Sequence, residues 1–181
     1  IYKKYFMKFK LSLFLFGSVF LCLSSMAISA ATITVNTLTD ENNTNGAACS
    51  LREAINNANN DNTASGLGCV AGSGTDSIVI SVNGTITPTT VLPTITTSMN
   101  ITGNGASLLT ISGNNARRVF VINGGTVSIN DLTVTNGFNS IQAGAISNEG
   151  SSTTTLAGLV ITNSNSGQGG GIQNDATMTI N

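Results

Sequence analysis

The chain repeats itself at an interval too long for a hairpin and too short for a domain. "INDLTVTN" (129–136) superposes on "LAGLVITN" (156–163), and "AGAISNEG" (143–150) on "GGGIQNDA" (169–176). Upstream, Ile101 of "NITG" stands one further interval before Ile129 of "INDL". From Asp76 onward the units are short alternating runs closed by Asn-Gly or Gly-Gly: "DSIVISVNG", "MNITGNG", "LLTISGNN", "VFVINGG", "VSINDLTVTNG", "TTLAGLVITNS" and "TMTIN". Such runs read as strands separated by tight turns. One such unit cannot bury its own apolar row, but coils stacked at the inter-strand spacing of ~4.8 Å join their rows into a continuous core. The elastic period, roughly 24–28 residues, is what one coil of a solenoid requires. It predicts an all-β solenoid, a parallel β-helix, over residues 76–181, with about four coils in a stub roughly 20 Å long.

A β-sandwich is the competing fold, because its strands also alternate. After residue 31, Phe120 and Phe138 are the only aromatics, so the core must come from Val, Ile, Leu and Ala. That composition suits stacked coils better than a sandwich anchored by aromatic side chains.

The first thirty-one residues follow a different logic. Lys3, Lys4, Lys8 and Lys10 precede an apolar run, Leu11 to Ile28, that ends in the small residues of "SAAT". This is the pattern of a secretory signal peptide over residues 1–31, with Met7 as the natural start and residues 1–6 upstream of it. Cleavage is expected between Ala27 and Thr32, with Ser29 at minus three and Ala31 at minus one. An uncleaved membrane anchor would have the length but lacks a stop-transfer flank. Lipidation at Cys22 is disfavoured by the large Leu21 before it.

Beyond the leader only Arg52, Arg117 and Arg118 are cationic, against Asp40, Glu41, Glu53, Asp61, Asp76, Asp131, Glu149 and Asp175. An acidic surface argues against a nucleic-acid partner. The chain has no His, which removes His-based catalysis and His metal ligation. Cys49 and Cys69, in a chain marked for an oxidising compartment, are expected to form a disulfide; free thiols or half a metal site would need partner ligands that the spacing does not offer.

Residues 32–75 are expected to hold a first strand, "TITVNTL" (32–38), the capping helix and the disulfide loop. In "CSLREAINNAN" (49–59), Ser50 is a natural N-cap and Glu53 falls three residues on, the spacing of a capping box. Leu51, Ala54, Ile55 and Ala58 follow at i, i+3, i+4 and i+7 and make one narrow apolar face. Arg52, Asn56, Asn57 and Asn59 are expected on the wet side. A helix of about ten residues is stable only if docked, so it is expected to close the first coil as a lid.

"CSLREAINNAN", "CVAGSGTDSIVI", the run from "LPTITTSMNITGNG" to "INDLTVTNG", and "QGGGIQNDATMTIN" together resemble the CSLREA-type bacterial secreted proteins. Their coils are similar to the polymorphic outer-membrane-protein repeat, with its Gly-Gly-Ala-Ile-like signature. The resemblance covers nearly all of the chain after the leader. It implies a right-handed parallel β-helix exported to the cell surface or beyond, often with a C-terminal anchoring or barrel region. Since the chain stops at Asn181 in mid-repeat, such an anchor is expected beyond it.

Chemistry-bearing residues are few. "AGSGTDSIV" (71–79) fits most of the calcium-binding nonapeptide, with Ala71 in the first Gly place, then Gly72, Gly74, Asp76 and Ile78. Calcium takes six or more oxygens and this repeat holds it between consecutive turns, yet no second copy follows. Asp76 is therefore expected to hydrogen-bond the turn into the first coil, with calcium the one cofactor left open and Asp76 the lone metal candidate. Asp131 aligns with Gly158 one repeat on, and Glu149 with Asp175; the second pair would place two carboxylates on adjacent coils. Stacked turn carboxylates are more often solvated than catalytic, so no catalytic residue is assigned. Asn123, Asn136, Asn148, Asn163 and Asn174 end strands, where the side chain tolerates a left-handed bend and stacked copies pair amide to amide. Thr133 and Thr135 form a Thr-x-Thr pair that does not recur coil by coil, which speaks against an ice-binding array.

The expected function is an exported cell-surface or extracellular β-helix, an adhesin-like or structural passenger or stalk without catalytic activity in this stretch. Its partner would be a surface ligand, glycan or host protein, with no membrane span in the chain after the leader. The alternatives are a polysaccharide-active enzyme, similar to pectate lyases, with its site beyond residue 181, and a calcium-stabilised secreted repeat protein.

Overall fold

A computed structural model describes residues 29–42, 46–63 and 68–181. The expected leader up to Ile28, including Lys3 to Lys10, Met7 and Cys22, lies outside the described residues. The chain runs β1 (Thr32–Val35), α1 (Leu51–Asn60), β2 (Asp76–Ile80), β3 (Gly84–Ile86), β4 (Met99–Thr102), β5 (Leu109–Ser112), β6 (Phe120–Ile122) and β7 (Thr126–Asn130). It continues through β8 (Thr133–Thr135), β9 (Phe138–Asn139), β10 (Ile146–Asn148), β11 (Thr153–Ala157), β12 (Val160–Thr162), β13 (Asn165–Ser166), β14 (Ile172–Asn174) and β15 (Thr177–Ile180).

These strands stack into the walls of a β-solenoid. The largest wall has six strands in the order β1-β2-β4-β7-β11-β15. A second wall is β3-β5-β8-β12, a third β6-β10-β14, and β9 pairs with β13 in a short fourth. Neighbours in the six-stranded wall pair in parallel. The chain therefore returns to the same wall once per coil, as short strands that cannot each bury an apolar face must do.

The register repeats the sequence period residue for residue. Ile78 faces Ile101, Ile101 faces Ile129, Ile129 faces Leu156 and Leu156 faces Ile180, unequal steps that make four coils of an elastic period. Ile146 faces Ile172, the same match that superposes "AGAISNEG" on "GGGIQNDA". Interior rows follow from this register: Ile33, Ile78, Ile101, Ile129 and Leu156 along one wall, and Ile86, Ile111 and Val134 along the second. Phe120 stacks on Ile146 in the third. Each fully buried aliphatic side chain stabilises the fold by ~1.5–3 kcal/mol, so the stacked rows hold the coils together.

Turn chemistry stacks as well. Asp131 (φ 56°) and Gly158 (φ 61°) occupy equivalent left-handed positions, as do Asn136 and Asn163, both at φ 51°. Asn, Asp and Gly are the residues that enter this region at least cost, which is why they recur at the strand ends.

Candidate functional site

The N-terminal end of the solenoid carries the densest set of specific interactions. Ser50 caps α1 in extended geometry: Glu53 N donates to Ser50 Oγ at 3.2 Å, and Ser50 N donates to Glu53 Oε2 at 3.0 Å. At the far end Asp61 closes the helix in the left-handed conformation. Leu51, Ala54, Ile55 and Ala58 are all buried, and α1 packs on β1 and β2. Its polar edge lies along residues 89–97 of the adjoining coil. There Asn59 Nδ2 donates to Thr94 O at 2.8 Å and Asn59 Oδ1 accepts from Thr96 N at 3.0 Å. Cys49 and Cys69 form a disulfide with Cα atoms 4.7 Å apart, tying the start of the helix to the segment leading into β2. Asn36, just after β1, reinforces this end: its amide donates to Cys49 O at 3.1 Å and its side chain accepts from Cys49 N at 2.8 Å.

Two residues expected on the wet side of α1 are buried instead. Asn57 is fully enclosed and donates to Val70 O at 3.1 Å. Arg52 is 8% exposed, with Nε 2.9 Å from Asp40 Oδ1 and Nη2 3.0 Å from Asp40 Oδ2. Its nitrogens also donate to Val91 O and Thr90 O, both at 2.9 Å. A helical periodicity plot scores Arg as polar and sends it outward, but a guanidinium with four acceptors in place can be buried. One sequence signal did point this way. Arg52 sits in the first turn of α1, where the helix dipole disfavours a cation, so it needed a partner of its own. Burial pushes the Asp40 carboxyl upward, but the bonds from Arg52 and from the Thr89 hydroxyl and amide, together with the Arg52 charge, hold it below the ordinary carboxylate value.

Asp76 begins β2 facing inward and is fully buried. Its Oδ1 accepts from Ser73 N at 2.8 Å and from Ala31 N at 3.1 Å, while Oδ2 has no hydrogen-bond partner. Gly72 packs so closely that a Cβ there would meet both Asp76 Oδ2 and Asn57 O. A single carboxylate surrounded by amide donors does not fit the oxygen-rich shell that calcium takes. Among the described residues there is no group of three or more His, Cys, Asp or Glu side chains placed to hold a metal ion.

The carboxylates on the coils do not converge. Asp131 lies in its left-handed turn against Gly158. Glu149 and Asp175 do fall at equivalent positions on adjacent coils, but each has its own partner. Glu149 Oε1 accepts from Arg118 Nη1 at 3.1 Å and from Ser147 Oγ at 2.6 Å, whereas Asp175 Oδ2 accepts from Gln173 Nε2 at 2.8 Å. Arg118 is largely buried and also donates to Ala143 O; Arg117 donates to Pro88 O. This arrangement ties loops of neighbouring coils together and gives Glu149 and Asp175 separate partners rather than a shared one.

Asn148 brings an amide into an interior row. The row Ile95–Ile122 continues as Asn148 and Asn174, and Asn148 is fully buried. Its Nδ2 donates to Asn174 Oδ1 at 2.6 Å and to Thr177 O at 3.0 Å, while its Oδ1 accepts from Ser152 Oγ and Thr154 Oγ1, both at 2.6 Å. An amide can replace an aliphatic side chain here only because every polar atom finds a partner.

Outside, the six-stranded wall is paved with small polar side chains. Thr153 and Thr155 face Thr177 and Thr179, with Thr126 and Ser128 on the coil before, so on this wall a Thr-x-Thr pair recurs on two adjacent coils, whereas Thr133 and Thr135 on the second wall face Val160 and Thr162 and do not recur, as expected. The wall position was hidden in the sequence because the intervening residues, Thr154 and Met178, face inward and differ in type. A shallow depression of about 150 Å³ is lined by Leu156, Leu159, Ile161, Ile172, Ile180 and Asn181 on the coil that contains β15.

No helix among the described residues is long and apolar enough to cross a membrane. No family model, no curated protein and no solved structure matches the chain.

Proposed function

We propose that the chain is the solenoid part of an exported cell-surface or extracellular protein of the CSLREA type, with coils of the polymorphic outer-membrane-protein repeat kind. It works as an adhesin-like or structural stalk rather than as an enzyme. The observation that carries this reading is the Cys49–Cys69 disulfide, which pins the lid over the first coil. Such bonds persist in oxidising compartments, the destination that the leader pattern of residues 1–31 implies. The outward hydroxyls of Thr126, Ser128, Thr153, Thr155, Thr177 and Thr179 on the six-stranded wall support a ligand of repeating polar character, a surface glycan in the first place. Hydroxyls repeated from coil to coil can hydrogen-bond a polyhydroxylated polymer and offer little to an apolar partner.

The test is to express the chain with its leader in a bacterium, fractionate the cells, and probe intact cells with an external protease. The expected result is a processed, disulfide-bonded protein outside the cytoplasm that the protease reaches. A full-length protein in the cytoplasm with two free thiols would contradict the proposal. Incubation with pectin-like polymers, with and without calcium, tests the non-catalytic part: rapid release of unsaturated or reducing products would overturn it.

A further inference from the structure

Asp76 stands in a row where no charge belongs. In the coils that follow, the same inward position is held by Met99, Val127, Thr154 and Met178. Asp76 is fully buried, its Oδ2 has no hydrogen-bond partner, and the ion pairs found among the described residues, Arg52–Asp40 and Arg118–Glu149, do not include it. A buried carboxylate is strongly unfavourable unless a cation compensates its charge. The group nearest to supplying one is the backbone nitrogen of Ala31. It lies 3.1 Å from Asp76 Oδ1 and 3.3 Å from Ser73 O, and Ala31 O accepts from Ser77 N at 2.8 Å, the first rung of the β1–β2 ladder. Ala31 packs against the core, while Ser29 and Ala30 before it are exposed. Among the described residues the bonded structure therefore begins at Ala31.

We propose that the leader is removed between Ala30 and Ala31, and that the α-ammonium group so created is the missing cation of Asp76, an internal ion pair that locks β1 onto the first coil. In this step a signal peptidase of the export machinery adds water across the Ala30–Ala31 amide. Ala30 leaves as a carboxylate, and the Ala31 nitrogen takes up protons to become an ammonium. The amide brings one proton to Asp76 Oδ1 and Ser73 O together; the ammonium brings three protons and a positive charge to the same place. Residue spacing alone favours the next bond, with Ser29 and Ala31 at minus three and minus one. Cutting there would remove both the donor to Asp76 and the carbonyl that pairs with Ser77.

The inference rests on reading residues 1–30 as an export leader, and the test keeps the two apart. Intact mass of the exported protein reads the cut: a chain starting at Ala31 supports the assignment, and one starting at Thr32, or keeping Ala30 or more, overturns it. Separately, a removable N-terminal fusion releases chains that begin at Ala31 or at Ala30, each with and without Asp76→Asn, for urea unfolding in the presence of a chelator. Adding Ala30 should lower the folding equilibrium constant about tenfold, and Asp76→Asn should cost about tenfold more in the Ala31-start chain, the scale of a charge-assisted bond. Because the first comparison keeps Asp76, it still decides if the variant does not fold. Equal stabilities, or equal costs of Asp76→Asn in both chains, would overturn the ion pair even with the leader confirmed. An uncleaved exported chain would overturn the leader and the cut, and stabilisation of the Ala30-start chain by calcium would assign the cation to a metal instead.

Discussion

Arg52 grips Asp40 with two nitrogens, Nε to Oδ1 at 2.9 Å and Nη2 to Oδ2 at 3.0 Å, and at the same time donates to the carbonyls of Thr90 and Val91. Three segments meet in one side chain: the loop after β1, the lid helix, and the corner of the adjoining coil. Truncating one member of a buried pair leaves the other charge uncompensated, so Arg52→Met should lower unfolding free energy by about 3 kcal/mol. Arg52→Lys should recover little of it, because an ammonium cannot serve both carboxylate oxygens and two carbonyls in one plane. Urea midpoints of the three proteins check the ranking.

Asp40 also sets an acid limit. Its folded pKa lies below the ordinary value, so the unfolded chain takes up the proton first. The stability it contributes is fully present above the unfolded value of about 4 and is lost as pH falls through the lower folded value. Wild-type stability should therefore decline in that window. The gap between wild type and Asp40→Asn should narrow as the solution is acidified. A gap that stays constant from neutral pH to pH 3 would contradict this role of Asp40.

Reducing the Cys49–Cys69 bond should cost about 3 kcal/mol, because the linkage closes a loop of 20 residues in the unfolded chain. Thermal unfolding with and without reductant measures it. Cys49→Ser/Cys69→Ser should behave as the reduced protein and should not respond to reductant.

The amide of Asn148 makes four hydrogen bonds in the interior of the later coils. Asn148→Ala leaves the Ser152 and Thr154 hydroxyls and the Thr177 carbonyl without that partner, so a loss of about 2–3 kcal/mol is expected. Asn123→Ala is the control at an exposed asparagine. Asn123 follows β6 one coil earlier, is exposed and lies outside this network, and should cost less in the same urea titration.

The coils were legible because their information is periodic. The offsets at which the sequence matches itself, Ile101 to Ile129, Ile129 to Leu156 and Ile146 to Ile172, are the offsets of the strand register. The inward Ile and Val rows follow once the period is known. The capping box and the apolar face of α1 were legible for the same reason, being local patterns of fixed spacing. Strands as short as β3, β9 and β13 carry too few residues to show alternation and emerge only from stacking on a neighbour. Partnerships across long separations were not legible either. Nothing local tells that Arg52 will find Asp40, that Asp76 will meet Ala31, or that an Ile row will turn into Asn148.

The central structural claim is that α1 closes the first coil and protects the β1–β2 end of the solenoid. Hydrogen exchange on the double variant Leu51→Asp/Ile55→Asp tests it most directly. The amides of Ser77 and Ser81, which bond Ala31 O and Val35 O, should lose protection first, while those of Thr153 and Asn165 in the later coils keep theirs. Equal protection at Ser77 in the variant and the wild type, with the variant still soluble, would contradict the claim that the helix is the lid.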